Sequence, residues 1–174
     1  LGKKISFDVR GFFQSNMKML EKSITEICRN LSGKNALDMY AGCGTFSVFL
    51  SDIFESVTLV EHNRDAVVFA AKNLAGKNIK ISGLSGAKWA AQSSTDLFDA
   101  AVIDPPRSGM EKEVLDYICR AKIKDLRYLS CNPSTHARDA AYLIKAGYKL
   151  EKLFLLDFYP NTSHIESLGL YRYE

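Results

Sequence analysis

Several features are absent from this sequence, and each absence argues against a class of protein. Its four cysteines (Cys28, Cys43, Cys119 and Cys131) form no CxxC pair, which argues against a zinc or iron–sulfur site, and we expect no metal. No apolar run is long enough to span a membrane and no signal peptide is evident, so we expect a cytoplasmic protein with reduced thiols and no membrane partner. The 174 residues contain no repeat, low-complexity tract or linker, which predicts one domain over residues 1–174.

The charge of the chain is nearly balanced, since 23 Lys and Arg against 20 Asp and Glu give a net charge of +3. This mild excess permits an RNA partner without requiring one. The basic residues Lys3, Lys4, Arg10 and Lys18 form either an RNA-facing patch or an ordinary solvated face. The chain starts at Leu1 rather than at Met, which we take as a sign of a longer parent chain, and the oligomeric state stays open.

Short apolar runs alternate with amphipathic segments, the pattern of a parallel sheet flanked by helices. We predict strands at Ala36–Tyr40, Val57–Glu61, Ile79–Ser82, Phe98–Asp104, Leu126–Cys131, Leu150–Phe158 and Leu168–Tyr173. We predict helices at Asn16–Leu31, Thr45–Ile53, Arg64–Ala75, Glu111–Ala121 and Thr135–Ala146, with a weaker helix around Lys88. Only a turn joins the last two strands, so they should form an antiparallel hairpin. This α/β pattern, a mostly parallel seven-stranded sheet ending in a hairpin, is typical of the Rossmann-like class I methyltransferases that use S-adenosylmethionine.

A glycine-containing loop joins the first central strand to its helix. In the segment Asp38–Phe46, Gly42 and Gly44 permit a tight turn and close approach to a ligand. The third glycine of a dinucleotide fingerprint is absent and no Gly-Lys-Ser/Thr follows, which argues against a pyrophosphate site. Glu61 ends the next strand, where an acid binds ribose hydroxyls, and with the loop it favours S-adenosylmethionine over mere strand–helix packing. Tyr40 either stacks on the adenosine or belongs to the core.

Three reactive side chains are expected to meet at one edge of the sheet. Asp104 and Cys131 end successive strands, which lie about 5 Å apart if they are neighbours, and Glu166 precedes the last strand. A cysteine at a strand end is often only core, but the turn Ser130–Thr135 should expose this sulfur, and the helix start behind it should favour the thiolate. A thiolate and a carboxylate beside one substrate suit nucleophilic catalysis followed by general-base catalysis, which methylation of pyrimidine C5 requires.

Some of the other residues near these motifs have two alternative interpretations, and the rest are expected to have a structural role. Pro105–Pro106 either stops a strand or forms a rigid wall for a flat base, and Arg107 binds either a phosphate or a nearby acid. We expect His136 and His164 to be hydrogen-bonded structural residues. In the segment Phe12–Gln14, the two phenylalanines should pack under the sheet while the glutamine faces the site.

In combination, these motifs resemble those of the RNA uracil-5-methyltransferases, which make 5-methyluridine in tRNA and ribosomal RNA. The resemblance covers nearly the whole chain and is carried by Phe12-Phe13-Gln14-Ser15-Asn16, the loop Asp38–Phe46, Val60-Glu61, Asp104-Pro105-Pro106-Arg107-Ser108-Gly109, Ser130-Cys131-Asn132-Pro133 with Ala137-Arg138-Asp139, and His164-Ile165-Glu166. It implies that Cys131 is the nucleophile, that Glu166 is the base, that S-adenosyl-L-methionine is the cofactor, and that a tRNA or an rRNA is the partner.

The resemblance also implies which residues bind cofactor and substrate. The cofactor residues would be Gln14, Tyr40, Gly42, Gly44, Thr45, Glu61, Gly83 and Asp104. The substrate residues would be Asp104, Pro105 and Arg107. Thr45 stands where many relatives have Asn, and Gly83 stands near a position where relatives often have a polar side chain. The small N-terminal β-barrel that binds RNA in typical members is absent from these residues.

Two other functions remain open at this point. A class I methyltransferase acting on a base amino group or a protein amide would have the same fold but would need no thiolate. A non-catalytic RNA-binding module would bind no cofactor, or would bind it without methyl transfer.

Overall fold

The structure, a computed structural model, describes residues 1–95 and 98–174. The helices are α1 Met17–Cys28, α2 Thr45–Leu50, α3 Arg64–Asn73, α4 Gly86–Gln92, α5 Lys112–Ala121 and α6 Pro133–Lys145. The strands are β1 Gly33–Met39, β2 Phe54–Val60, β3 Ile79–Ser82, β4 Ala100–Ile103, β5 Asp125–Ser130, β6 Lys149–Leu156 and β7 Glu166–Arg172. Every predicted element is present, and the weaker helix around Lys88 is α4. Within these described residues no helix is long and apolar enough to cross a membrane, and no three or more His, Cys, Asp or Glu are grouped to hold a metal ion.

The seven strands form one sheet in the order β3-β2-β1-β4-β5-β7-β6. β7 runs antiparallel to β5 and to β6, and the other neighbouring strands are parallel. The predicted mostly parallel sheet that ends in an antiparallel hairpin is therefore confirmed. Because β7 runs antiparallel to β5, its first residues lie at the edge at which β4 and β5 end, and Ser167 pairs with Ser130.

Some strands begin a few residues away from their predicted bounds. β1 begins at Gly33 rather than at Ala36, and β7 begins at Glu166 rather than at Leu168. In both strands the backbone pairing extends into residues outside the apolar run, as where Glu166 pairs with Leu156. Polar strand ends lack the hydrophobic signal on which the sequence prediction depends, so the predicted strands are too short at that end.

Both faces of the sheet are covered by helices, as the burial of successive residues in the second half of β1 illustrates. Leu37 and Met39 contribute to an apolar cluster beneath α4, α5 and α6. Ala36 points to the opposite face, where it packs in a cluster with α1 and α2. Side chains of successive strand residues alternate between faces, so one strand supplies both clusters. A smaller cluster joins α2 and α3 beside β2.

A buried arginine ties the C-terminal end of α1 to the sheet. Arg127 of β5 is only 3% exposed, and its guanidinium donates to the carbonyl oxygens of Ile27 at 3.2 Å and Arg29 at 3.4 Å. The same group lies 3.4 Å from the carboxylate of Asp125, which is also buried. The last carbonyls of a helix have no partner within the helix, and Arg127 supplies one from the neighbouring strand.

We expect Arg127→Ala to lower the free energy of unfolding by about 3 kcal/mol, because it removes the nearer cationic partner of the buried Asp125 carboxylate and the donor to two carbonyls. Urea denaturation followed by circular dichroism measures this change. Arg29→Ala is the matched control, since it removes an exposed ion pair with Glu26 and should change the midpoint far less. Equal midpoints for the two variants would contradict a stabilising role of Arg127.

Candidate active site

A cavity of about 660 Å³ opens at the edge where β1, β4 and β5 end and β7 begins. Most of the predicted site residues line it: Gln14, Tyr40, Gly42, Thr45, Glu61, Asp104, Pro105, Arg107, Cys131 and Glu166. Gly44 and Gly83 do not line it, so a cofactor contact at either residue stays a prediction. The cavity thus contains both the residues expected to bind a cofactor and those expected to react.

The two glycines of the first loop have different surroundings. Gly42 has φ +55°, and a Cβ added there would meet nothing within 4 Å, so its backbone faces open space. Gly44 has φ +81° and faces the core, where an added Cβ would lie 3.1 Å from Leu74 Cδ1 and 3.2 Å from Leu59 Cδ1. Only Gly42 therefore leaves room for a ligand, whereas Gly44 permits close packing against α3 and β2.

Glu61 fixes the shape of this loop. Its carboxylate accepts hydrogen bonds from the backbone N–H of Gly42 at 2.9 Å and from that of Asn63 at 2.7 Å. Both bonds are charge-assisted, which makes them stronger than neutral ones. Glu61 also lines the cavity, beside His62, Asn63 and Asp65. These three neighbours were missed by the sequence analysis, although their position directly after a strand-end acid could have indicated them.

Asp38 anchors the helix that follows the loop. It is fully buried in β1, and its Oδ2 accepts hydrogen bonds from the Ser47 backbone N–H at 2.8 Å and hydroxyl at 2.6 Å. Burial raises the pKa of Asp38 to about 7. No role was predicted for Asp38, although a carboxylate within an apolar strand is a signal that could have indicated one.

Tyr40 forms one wall of the cavity in a conformation that few non-glycine residues adopt. Its φ is +63°, in the left-handed region. Its hydroxyl accepts a hydrogen bond from the Glu111 backbone N–H at 3.3 Å and lies 3.4 Å from the Glu111 carboxylate. Strained residues of this kind concentrate at functional sites, where the surrounding contacts hold them. Tyr40 is therefore held as a fixed surface by contacts that sequence reasoning did not find.

Cys131 follows β5 directly and lines the cavity, as expected, but its electrostatic surroundings differ from the prediction. Burial raises the pKa of the Cys131 thiol, and the charges of Glu166 and Asp104 raise it further. The shift of the Cys131 pKa is therefore opposite in direction to the one predicted from the helix start. The thiol is therefore protonated at rest near neutral pH.

Two carboxyl groups share this part of the cavity. Glu166 is 3% exposed, and burial raises its pKa, although the Gln14 side-chain amide donates to its Oε1 at 3.2 Å and acts in the opposite direction. Burial also raises the pKa of Asp104 well above its usual range, and the nearby Glu166 adds to this. The charge of Glu166 therefore adds to the effect of burial in disfavouring ionisation of Asp104.

The relative position of Asp104 and Cys131 also differs slightly from the prediction. β4 and β5 are neighbours, as expected, and Ile103 pairs with Tyr128. By this register Asp104 lies level with Leu129, so Cys131 extends two residues farther, which is about 7 Å along the strand direction. The convergence of the three reactive groups at one edge is retained.

Among the described residues, Arg107 contacts a histidine rather than the nearby acid that was one of its two predicted partners. The residue is exposed, and its Nη2 donates to Nδ1 of His164 at 2.9 Å, since a guanidinium has only donors. Its backbone carbonyl accepts hydrogen bonds from Asn132 Nδ2 at 3.1 Å and Thr135 Oγ1 at 3.2 Å. These bonds attach the proline-containing loop to the start of α6, directly after Cys131.

Residues of the N-terminal segment line the cavity. Phe13 packs toward the sheet and stacks on Phe7 with ring centroids 4.3 Å apart. Both phenylalanines line the cavity, but Phe12 is 74% exposed, so the prediction that it packs under the sheet is wrong. Hydrophobicity alone cannot distinguish these neighbours, because a segment without regular structure has no period that assigns a face.

The basic N-terminal residues are partly neutralised. Lys3 pairs with Asp52, and Arg10 pairs with Asp8 at 2.7 Å. Hydrogen bonds from Arg10 lower the pKa of Asp8 to about 2. The predicted alternative of an ordinary solvated, ion-paired face is therefore the better description of these two residues.

Comparison with known proteins points to one family. The model of the tRNA (uracil-5-)-methyltransferase family matches residues 4–172. An RNA methyltransferase from Treponema denticola is 43% identical, with 98% of this chain and 47% of the relative aligned. A 23S rRNA (uracil(1939)-C(5))-methyltransferase from Haemophilus influenzae is 35% identical, with 98% of this chain and 40% of the relative aligned. The chain thus spans less than half the length of each of these curated relatives.

The fold agrees with this comparison. The crystal structure of Pyrococcus abyssi tRNA (uracil-54, C5)-methyltransferase in complex with S-adenosyl-L-homocysteine superposes with a TM-score of 0.82 and 28% identity, over 93% of this chain and 40% of that one. The seven-stranded sheet with its antiparallel β7 is the Rossmann-like fold of class I S-adenosylmethionine-dependent methyltransferases. Since the family model extends over nearly the whole sequence, the chain belongs to the tRNA (uracil-5-)-methyltransferase family.

Proposed function

We propose that residues 1–174 form a catalytic domain that methylates C5 of uracil in tRNA or rRNA, using S-adenosyl-L-methionine and a covalent bond between Cys131 and C6 of the base. The observation that carries this proposal is that Cys131 and Glu166 line one cavity together with the glycine loop. The relatives support the substrate class, since those with specific names act on uracil C5 of tRNA or rRNA.

The cavity suits the cofactor. Gly42 presents its backbone to open space, and Glu61 is placed beside it by two charge-assisted hydrogen bonds. Tyr40 and Gln14 complete the set of groups that would hold an adenosyl moiety. When bound, S-adenosylmethionine supplies an electrophilic methyl group. The P. abyssi relative was solved with the demethylated form of this cofactor.

Methylation of uracil at C5 requires a nucleophile and a base that act on the same pyrimidine ring. The Cys131 thiol first loses its proton to solvent, and the thiolate then adds to C6. The electron pair of the C5–C6 double bond moves into an enolate that makes C5 nucleophilic. After C5 has taken the methyl group, Glu166 accepts the C5 proton. The electrons of that C–H bond re-form the double bond, and the thiolate leaves. The raised pKa of Glu166 makes it a better proton acceptor at this step.

The rim of the cavity suits an extruded base. Phe12 and Arg107 are exposed there, and Pro105 forms part of the wall. Bases of single-stranded RNA stack on aromatic side chains and guanidinium planes, and a uridine must be flipped out for its C6 to reach a cavity.

Trapping with 5-fluorouridine tests the proposal. Short RNAs with this base are mixed with S-adenosylmethionine and the chain at high concentration, and the products are read by intact-protein mass. Fluorine cannot leave C5 as a proton does, so we expect a methylated protein–RNA adduct that disappears with Cys131→Ala. No adduct, with cofactor binding retained, would contradict the proposal for this chain.

The pKa shifts predict how adduct formation depends on pH. Cys131 acts as the thiolate, and its pKa is raised by burial and by two carboxylates. A raised pKa moves the onset of reactivity to higher pH, so the single-turnover rate should rise through neutrality and continue rising above about 8.5, the pKa of a free thiol. Rates measured between about pH 6 and pH 9 check this, with circular dichroism as the control for folding. A plateau already reached at neutral pH would contradict it.

A further inference from the structure

His136 occupies an unusual place for a polar side chain, buried in the interior behind the reactive edge of the sheet. It lies in the first half of α6 and is 3% exposed. Its Nδ1 lies 2.7 Å from the Ser167 hydroxyl oxygen, and its Nε2 lies 2.9 Å from the Tyr171 hydroxyl oxygen. Both ring nitrogens therefore have partners on β7, the strand that begins with Glu166.

The contact is neutral and tightly packed. Burial lowers the pKa of His136 to about 4, so at neutral pH the ring has one N–H and one acceptor nitrogen. Ser167 and Tyr171 can each donate or accept, and either tautomer of the imidazole satisfies both. Gly169 lies between them, where an added Cβ would be 2.9 Å from His136 Nε2. The strand thus approaches the helix as closely as a glycine allows.

This contact joins the element that follows the nucleophile to the element that begins with the base. α6 starts two residues after Cys131, and His136 lies one turn into it. Ser167 is adjacent to Glu166 and pairs with Ser130, the residue before the nucleophile. Side chains alternate along a strand, so the Ser167 side chain points toward α6 while Glu166 faces the cavity.

We propose that His136 is a positioning residue that sets the separation between Cys131 and Glu166, by holding Ser167 against the helix that follows the nucleophile. The inference rests on the proposed function, because it assigns Glu166 to proton abstraction. His136 does not line the cavity, so it acts through its neighbours, and Ser167 is the hydrogen-bond partner adjacent to Glu166. Its loss should slow the step that needs Glu166 more than the step that needs Cys131 alone.

The two nitrogens of the ring can be tested separately. The amide of Asn reaches the position of Nδ1 and that of Gln reaches the position of Nε2, so His136→Asn keeps the Ser167 contact and His136→Gln keeps the Tyr171 contact. Ser167→Ala removes the first contact from the strand side with little change in volume. Tyr171→Phe is the matched control, because it removes the contact that lies farther from Glu166 along β7.

The experiment is a single turnover on uridine-containing RNA, in which formation and decay of the methylated covalent adduct are followed by denaturing electrophoresis. We expect adduct decay to slow roughly tenfold in Ser167→Ala and His136→Gln, with formation little changed. His136→Asn and Tyr171→Phe should remain within about twofold of the unchanged chain. Urea denaturation of all four variants gives their stabilities, and Ser167→Ala decides the test if a histidine variant does not fold.

The failure of this inference is distinguishable from the failure of the proposed function. If the unchanged chain forms no Cys131 adduct even with 5-fluorouridine, the proposed function is wrong and this inference falls with it. If adduct forms and accumulates in Glu166→Gln but decays normally in Ser167→Ala and His136→Gln, only the inference is overturned. The inference would also be overturned if adduct decay slowed in proportion to the loss of stability in all four variants, because a merely structural role predicts that pattern.

Discussion

Cys131→Ala should abolish methyl transfer to RNA, with a loss of roughly four orders of magnitude or more in turnover, while binding of S-adenosylmethionine is unchanged. The size of the effect follows from the chemistry, since C5 of an unactivated uracil is too weak a nucleophile to attack a methyl sulfonium. Alanine removes only the sulfur, at a residue that lies directly after β5 and is partly exposed. The cofactor end of the cavity, around Gly42 and Glu61, is not altered by this change.

The loss of methyl transfer and the unchanged cofactor binding are measured separately on Cys131→Ala. Transfer of a radiolabelled methyl group to RNA gives the loss of activity, and calorimetric titration with S-adenosylhomocysteine gives cofactor binding. Cys119→Ala is the matched control, because it removes a partly buried thiol on α5, which does not line the cavity. Retained methylation in Cys131→Ala would refute the nucleophile and favour an amino or amide target, for which no thiolate is needed.

The convergence of the reactive groups was predictable because it depends on topology rather than on side-chain detail. Parallel strands end at one edge, so Asp104 and Cys131 had to lie there, and a hairpin had to return the chain to the same edge. The alternation of apolar and amphipathic segments was sufficient to predict this arrangement. Glu166 and Cys131 therefore line the same cavity, although 35 positions separate them in the sequence.

The electrostatics and the supporting contacts could not be predicted in the same way. The pKa of the Cys131 thiol depends on how deeply the cavity is buried and on two carboxylates that reach it from other strands. The exposure of Phe12 depends on the path of a segment without regular structure. The contact of His136 with Ser167 requires the register of β7 against α6. Each of these is a property of the assembled tertiary structure, for which local sequence carries no periodic signal.

Glu166→Gln should stall the reaction after methyl transfer, at the covalent adduct. We expect turnover to fall roughly 10²–10⁴-fold, the usual contribution of a general base, while a methylated covalent adduct accumulates on ordinary uridine. Glutamine keeps the shape of the side chain and an oxygen that can accept the hydrogen bond from Gln14, so the packing at this buried position is retained. The amide cannot take the C5 proton, and without that step the thiolate is not expelled.

The same substitution should also make the first step easier, which distinguishes it from general damage to the site. The charge of Glu166 raises the pKa of the Cys131 thiol, so its removal should shift the onset of adduct formation to lower pH. Asp104→Asn removes the other carboxylate that raises this pKa but leaves the base in place. That variant should therefore show the pH shift without accumulating adduct. Normal turnover by Glu166→Gln would place the base elsewhere, whereas a variant that forms no adduct at any pH would mean that Glu166 acts before methyl transfer rather than after it.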